Sequence, residues 1–415
     1  MRLCQVILQS ADERPGTLPA KATHQQTRAH NHGLVLRALY DHGPVSRADI
    51  ARLTGLTRTT VSEVVADFIA DGLAREVGRG PSRGGKAPIL VEVNGDSRHV
   101  IGLDLGERAF SGAVVNLHGE IRQTASQAVE GRDGDAALAA LYRLLDELID
   151  ATPGVLLGVG VGTPGIVDAE AGRILWAVNL DWQDLPLGDL LRERYGVPTY
   201  VANDSRAAAL AESLFSAERR SANLIAIKVG NGIGAGLVLN GELFHGDAFG
   251  AGEIGHIAAV DDGEQCRCGR FGCLETVASS RAILARATEA ARVDPNGFLG
   301  RRLAESGALN LGDIRAGLDA GDEQTRRIAV AAGRFLGQAV AALIGALNVN
   351  QIVLIGAVAT LGEPWLDSVR DEARRRSLGL LTSGTRIDLG RTERDVVLGA
   401  SALLMTRELG LAPVR

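Results

Sequence analysis

The sequence predicts an α/β protein: a small N-terminal winged helix-turn-helix followed by a larger body of two related lobes. Three observations carry this. Residues 34–72 hold apolar residues at helical spacing, broken by two short turns. From residue 99 the chain changes to apolar strands that run into glycine turns and are followed by helical stretches. That strand, turn, strand, helix layout begins near residue 100 and again near residue 224, a repeat of layout without repeated residues. At 415 residues, 46% hydrophobic and 23% charged, the chain is long enough for two or three domains.

Residues 1–25 are polar and punctuated by proline and glycine, and are expected to be disordered. Leu34, Val35, Ala38 and Leu39 mark a first helix that ends near Gly43-Pro44. Ser46 is a good N-cap for a second helix, with Asp49 three residues on and Ile50, Ala51 and Leu53 facing inward. Thr54-Gly55-Leu56 turns the chain, and Thr57 caps a third helix. Its Val61, Val64, Val65, Phe68 and Ile69 form one buried face, and Gly72 ends it. Two short strands, 74–77 and 89–93, flank a Gly/Arg loop and read as a hairpin wing. Residues 26–94 therefore form a winged helix-turn-helix, with Asn94-Gly95-Asp96-Ser97 as linker. Residues 21–94 carry ten Arg/Lys against seven Asp/Glu, or +3; the chain as a whole is −6, which leaves −9 for the rest. A basic module on an acidic body is the asymmetry expected if only the first domain meets nucleic acid.

In the body, strands are expected at 100–105, 112–117, 155–161, 199–202, 224–229 and 236–240, with helices at about 136–151 and 206–215. The chemical signal lies further on. Three of the four cysteines, Cys266, Cys268 and Cys273, sit within eight residues, and His256 lies ten residues upstream. Three thiolates and an imidazole suit a closed tetrahedral zinc site, structural and one per chain, with no open position for catalysis. Glycines between the cysteines let the loop turn back on itself. Glu253 and Glu275 flank the cluster, so a metal-folded loop presents carboxylates suited to a polyol. Clustered cysteines with metal spacing argue for a reducing cytoplasm. No run is long enough for a membrane span or a secretion signal.

Gly252-Glu253-Ile254-Gly255-His256 followed by Cys266-x-Cys268-Gly269-x-x-Gly272-Cys273-Leu274-Glu275 resembles the signature of the ROK family of bacterial sugar kinases and sugar-responsive repressors. Gly160-Val161-Gly162-Thr163-Pro164-Gly165, Asn203-Asp204 and Gly230–Gly236 extend the resemblance over roughly residues 98–410. It implies a two-lobed actin/hexokinase-like (ribonuclease H-like) fold. The small lobe would span 98–205, completed by a C-terminal helix at about 396–412, and the large lobe 206–395 would carry the zinc motif. It also implies that Asn203, Asp204, Glu253, His256 and Glu275 hold sugar hydroxyls, with the Gly165 backbone nearby and Asn179 as a further contact. His256 would serve metal and sugar through its two ring nitrogens. Asp204 matches the general base of the kinases and would be catalytic only in a kinase.

The first phosphate loop departs from the family's pattern. Asp104-Leu105-Gly106-Glu107-Arg108-Ala109 stands where the kinases have Asp-x-Gly-Gly-Thr-Lys. Glu107 repels a polyanion, and neither hydroxyl nor lysine follows it. Ala357 replaces a glycine where a nucleoside would pass. These changes argue against ATP as a cofactor. The helix-turn-helix resembles that of ROK repressors, which places the third helix in the major groove of an operator. Thr57, Arg58, Thr59, Thr60 and Ser62 would lie at base edges, with Arg58 suited to guanine. Arg79, Arg83 and Lys86 of the wing would meet phosphate or the minor groove. The expectation is a cytoplasmic sugar-responsive repressor, a homodimer or dimer of dimers that a sugar or sugar derivative releases from double-stranded DNA. The alternative is an ATP-dependent sugar kinase with an attached DNA-binding module.

Overall fold

The computed structural model describes residues 24–81, 87–129, 131, 133–215, 221–390 and 394–411. Residues 1–23 of the expected disordered N-terminus lie outside these, as do Arg83 and Lys86 of the expected wing.

The DNA module runs α1 (His24–His42), β1 (Val45–Ser46), α2 (Arg47–Thr54), α3 (Arg58–Ala70), β2 (Ala74–Arg79) and β3 (Ile89–Val93). Its caps are those read from sequence. The Ser46 hydroxyl accepts from the Asp49 amide at 3.2 Å, and the Thr57 hydroxyl accepts from the Thr60 amide at 3.2 Å. Gly55, at φ +69°, closes α2 in the left-handed conformation that a side chain disfavours. Val61, Val64, Val65 and Phe68 of α3 are buried, and Ile69 is partly so. Leu53 was expected inward but is 48% exposed, because α2 turns only Ile50 fully into the core. β2 and β3 pair as the wing hairpin, and β1 joins them as a third strand.

This core does not end with the module. Val35, Leu39, Ile50, Val65, Val91 and Val93 share one buried cluster with Val100, Leu117 and Leu157 of the body and with Leu404, Met405 and Leu409 near the C-terminus. The expected linker is docked rather than loose. Asp96 accepts from the Asn116 side chain at 2.9 Å, and Arg98 pairs with Asp71 at 2.7 Å.

The first lobe contains β4 (Arg98–Leu105), β5 (Ala109–Asn116), β6 (Ile121–Ala128), α4 (Gly134–Asp150), β7 (Val155–Thr163), β8 (Ile166–Asp168), β9 (Arg173–Ala177), β10 (Trp182–Leu185), α5 (Leu187–Tyr195) and β11 (Thr199–Asn203). α6 (Asp204–Phe215) leads to the second lobe. That lobe has β12 (Leu224–Val229), β13 (Ile233–Leu239), β14 (Glu242–Leu243), α7 (Glu275–Ala278), α8 (Ser280–Val293), α9 (Phe298–Ser306), α10 (Leu311–Asp319), α11 (Glu323–Leu347), β15 (Gln351–Ile355), α12 (Trp365–Arg376), α13 (Gly379–Thr382) and β16 (Arg386–Leu389). α14 (Asp395–Leu409) returns to pack on α6, β4 and β7.

The two large sheets have orders β11-β7-β4-β5-β6 and β14-β13-β12-β15-β16. Numbered within each lobe, both read 5-4-1-2-3 or its reverse, with the second strand antiparallel to the first and the fourth parallel to it. The repeat seen in the sequence is thus a repeat of topology. β6 escaped sequence reading because it is a half-exposed edge strand rich in polar residues, Ile121-Arg122-Gln123-Thr124-Ala125-Ser126-Gln127-Ala128. The small sheet β8-β9-β10 escaped because its strands are short. β5 begins at Ala109, not 112, so the turn after β4 is only Gly106-Glu107-Arg108. α11 is the one helix among the described residues long and apolar enough to cross a membrane, but its Ala329, Leu336, Val340 and Ile344 face the second lobe's core.

Candidate functional site

The four residues expected to hold a metal converge. One ligand atom from each of His256, Cys266, Cys268 and Cys273 lies within 4.8 Å of all the others. Cys268 Sγ is 3.7 Å from Cys273 Sγ, and Cys266 Sγ is 3.6 Å from His256 Nδ1. A tetrahedral zinc with Zn–S of about 2.3 Å sets its sulfurs about 3.8 Å apart, so the spacing fits. The loop is shaped for this. The Cys266 amide donates to Arg270 O at 2.7 Å and the Gly269 amide to Cys266 O at 2.9 Å, a tight turn at whose corner Gly269 takes φ +86°. Gly272, at φ +69°, lies so close that a Cβ would strike the Val260 carbonyl. Burial and the neighbouring sulfurs push the Cys273 thiol up to about 12, and burial raises Cys266. A cation is what would let such crowded sulfurs deprotonate.

Beside this loop, the carboxyl ends of β7, β11 and β12 meet where open α/β sheets bind ligands. Asn203 Nδ2 donates to Gly165 O at 3.0 Å, joining two of the expected sugar contacts directly. Gly165 has φ +95°, and a Cβ there would run into the Trp176 carbonyl. Asn203 Oδ1 accepts from the Ser205 and Arg206 amides, so it caps the helix that Asp204 begins. Asp204 was expected to precede the helix at 206; it is the first residue of α6 instead. Glu253 lies between burial and like charge. Burial first, then Asp204 and Glu275, push its carboxyl up to about 7, against the pull of Arg206. Glu275 is buried and already partnered: Oε1 accepts from Arg281 at 2.7 Å and Oε2 from the Ile233 amide at 3.2 Å. Each oxygen keeps one lone pair for a hydroxyl.

Asn179 Oδ1 accepts from Arg267, between Cys266 and Cys268, at 2.8 Å. The Glu107 carboxylate accepts from Arg267 Nη1 at 2.9 Å and, through its other oxygen, from Asn231 Nδ2. The acid that marks the first phosphate loop as altered is therefore bound to the Gly230–Gly232 turn between β12 and β13. Ala357 is exposed at the start of a short turn after β15.

Sequence reasoning missed two cations. Lys228 Nζ lies 2.6 Å from Asp204 Oδ2. Burial opposes its charge, but Asp204 and Asp104 outweigh that and hold its pKa above the usual lysine value. A charged residue inside the apolar run Leu224-Ile225-Ala226-Ile227-Lys228-Val229 was the available signal. Arg206 is 1% exposed and donates from Nη2 to Phe249 O and Ala251 O, tying α6 to the segment that leads into Glu253. Nothing in its sequence setting marks it.

On the DNA module, Thr57, Arg58, Thr59 and Ser62 are exposed on α3, whereas Thr60 is half-buried and bound to Thr57. Arg47, Arg52 and Arg75 are engaged by Glu76, Asp49 and Glu92. Arg58 and Arg79 have no ion-pair partner among the described residues and remain available to an external anion.

Residues 100–406 match the ROK family model, and residues 27–84 match the MarR family model. The xylose repressor of Caldicellulosiruptor bescii is 31% identical over 392 residues, covering 92% of this chain and 97% of its own length. The crystal structure of a ROK family transcriptional regulator, a homolog of the E. coli MLC protein, superposes with a TM-score of 0.81 at 28% identity, covering 93% of this chain and 98% of its own. A ROK family glucokinase from Streptomyces griseus, in complex with glucose and AMPPNP, gives 0.66 at 27% identity, covering 74% of this chain and 98% of its own. The regulators thus match nearly the whole chain, whereas the kinase leaves about a quarter of it unmatched.

Proposed function

Because the chain belongs to the ROK family, we propose that it is a sugar-responsive DNA-binding transcriptional repressor acting on genes of carbohydrate uptake or catabolism. The observation that carries this reading is that a winged helix, whose Arg58 and Arg79 lack an ion-pair partner among the described residues, shares one hydrophobic core with the two-lobed body. The fold is the two-lobed actin/hexokinase-like one.

In this reading Arg58 reads a base edge, with Thr57, Thr59 and Ser62 beside it on α3 and Thr60 fixing the helix start. Arg79, together with Arg83 and Lys86, lies along the phosphates. A sugar or sugar derivative enters the cleft. Asp204 and Glu253 accept hydrogen bonds from its hydroxyls, Asn203 and the Gly165 backbone border it, and Glu275 offers its remaining lone pairs. Zinc, when bound to His256, Cys266, Cys268 and Cys273, supplies the charge that keeps three sulfurs as thiolates and holds their loop folded. His256 Nδ1 faces the sulfurs, which leaves Nε2 for a hydroxyl. Closure of the lobes on the sugar changes the spacing of two winged helices in a dimer, or in a dimer of dimers, and operator affinity falls. The protein works in the cytoplasm.

Phosphoryl transfer is the second reading, favoured by the glucokinase likeness. Two observations weigh against it. Glu107 places a carboxylate at the phosphate turn, and Arg108 and Ala109 supply neither the hydroxyl nor the lysine that the kinases have there. A thermal-shift screen of sugars and sugar phosphates, followed by operator binding with each hit, tests the proposal. A hit that weakens sequence-specific DNA binding supports it. Sugar-dependent ADP release abolished by Asp204→Asn would replace it with the kinase.

A further inference from the structure

We infer that Arg267 and Glu107 form a clasp that couples the metal loop to the first lobe and biases the cleft toward closure before any sugar binds. This rests on the sugar-responsive reading above and adds to it a mechanical role for two residues outside the sugar contacts. Glu107 belongs to the β4–β5 turn of the first lobe. Its two oxygens reach two different elements of the second: Arg267 at 2.9 Å in the metal loop, and Asn231 in the β12–β13 turn. Arg267 also donates to Asn179 of the first lobe at 2.8 Å, so the guanidinium is held from two first-lobe elements.

The contacts continue inward from the clasp. Asn231 Oδ1 accepts from Ser280 Oγ at 2.7 Å, and its carbonyl accepts from Arg281 Nε at 3.1 Å. Arg281 in turn pairs with Glu275 at 2.7 Å, and Glu275 accepts from the Ile233 amide. One polar chain therefore runs from Asn179 through Arg267, Glu107, Asn231 and Arg281 to a carboxylate at the proposed sugar site. Arg267 is also flanked in sequence by Cys266 and Cys268. The turn that aims it is the turn the metal would fold, so the state of the metal loop is transmitted to the lobe seam. The Glu107 and Arg267 side chains are 25% and 48% exposed. Such a pair is individually weak and readily broken, as a device that opens and closes requires.

The linkage gives opposite signs for the two ligands. If the clasp favours the closed, sugar-binding, low-affinity-for-DNA state, removing it disfavours that state. Glu107→Ala and Arg267→Ala should each weaken sugar binding and tighten sugar-free operator binding, the two fold-changes multiplying to about five- to tenfold. Arg267→Lys should recover part of both. Hydrogen exchange of the 230–233 turn should rise in both alanine variants without ligand. A merely structural role predicts that sugar and operator affinity fall together; that result, or no change in either affinity with unchanged exchange, overturns the clasp. If the wild-type protein binds neither sugar nor operator, the repressor reading fails instead, and the exchange comparison alone then decides the clasp: unchanged exchange rejects it.

Discussion

The two seams of this molecule are built from opposite materials. Where the DNA module meets the first lobe, the contact is a continuous apolar core: Val35, Leu39 and Val91 pack in one cluster with Val100, Leu117, Leu404 and Met405. Where the two lobes meet at the cleft, the contacts are charges and amides: Asp204 with Lys228, Glu107 with Arg267 and Asn231, Arg267 with Asn179. Away from these contacts, Ala207, Ala208 and Ala209 of α6 share a buried apolar cluster with Leu224, Ala226, Val238, Val353 and Ile355 of the second lobe and with Val396 of α14. Opening an apolar seam exposes area to water at about 25 cal/mol per Å². The partly exposed Glu107–Arg267 pair exchanges for water at little cost, whereas the Asp204–Lys228 pair is largely buried. The proposed clasp therefore places the sugar response at this polar seam, with the DNA module packed on the first lobe and on α14.

The largest way to break this comparison is Leu404→Ala. This fully buried side chain belongs to the cluster that module and lobe share, so its loss should cost about 2–5 kcal/mol and lower the melting of both together in calorimetry. Two separate transitions in the wild type would show that the seam is not shared. Cys268→Ser, or chelation, acts on the other seam. The sugar-induced rise in melting temperature should vanish while sugar-free operator binding persists; loss of operator binding would mean that the metal supports the whole fold. Arg58→Ala should weaken specific operator binding by about 1–3 kcal/mol and relax base preference, leaving the sugar response intact. A sugar titration of that variant checks the independence of the two ends.

The pH dependence sharpens the cleft side. With a pKa near 7, Glu253 is a carboxylate at pH 8 and largely protonated at pH 6, so a site using it as acceptor should bind sugar more weakly as pH falls through that window. Glu253→Gln should flatten the profile. In the sugar-free protein the sign is reversed: the raised carboxyl favours folding while protonated, and that contribution is lost as pH rises from about 4.5 through 7. The smallest expected effect is Thr57→Ala, which removes one cap from α3 and should cost about 1 kcal/mol of stability.

Much of this was legible without coordinates where the signal was local. The caps at Ser46 and Thr57, the buried face of α3 and the His/Cys cluster that could hold a metal each follow from spacing within a few turns of chain. Leu53 misled because helical periodicity assigns a face but not the width of the core behind it. β6 and the strands of the small sheet were invisible because edge and short strands keep polar residues and lose the apolar alternation. The sugar contacts expected at Asn203 and Gly165 come from a motif, but the direct hydrogen bond between these residues joins positions 38 apart and could not be read from either.

By itself, then, the sequence determined the winged helix, the repeated lobe and the metal loop, because caps, periodicity and ligand spacing are local properties. Only the tertiary structure decided that Glu107, which reads as a residue that spoils a phosphate turn, is bound across the cleft to Arg267, 160 residues away. The same is true of Lys228 on Asp204 and of α14 beneath the DNA module. Charges pair and apolar faces pack with whatever the fold brings near, and that proximity is set by the whole chain.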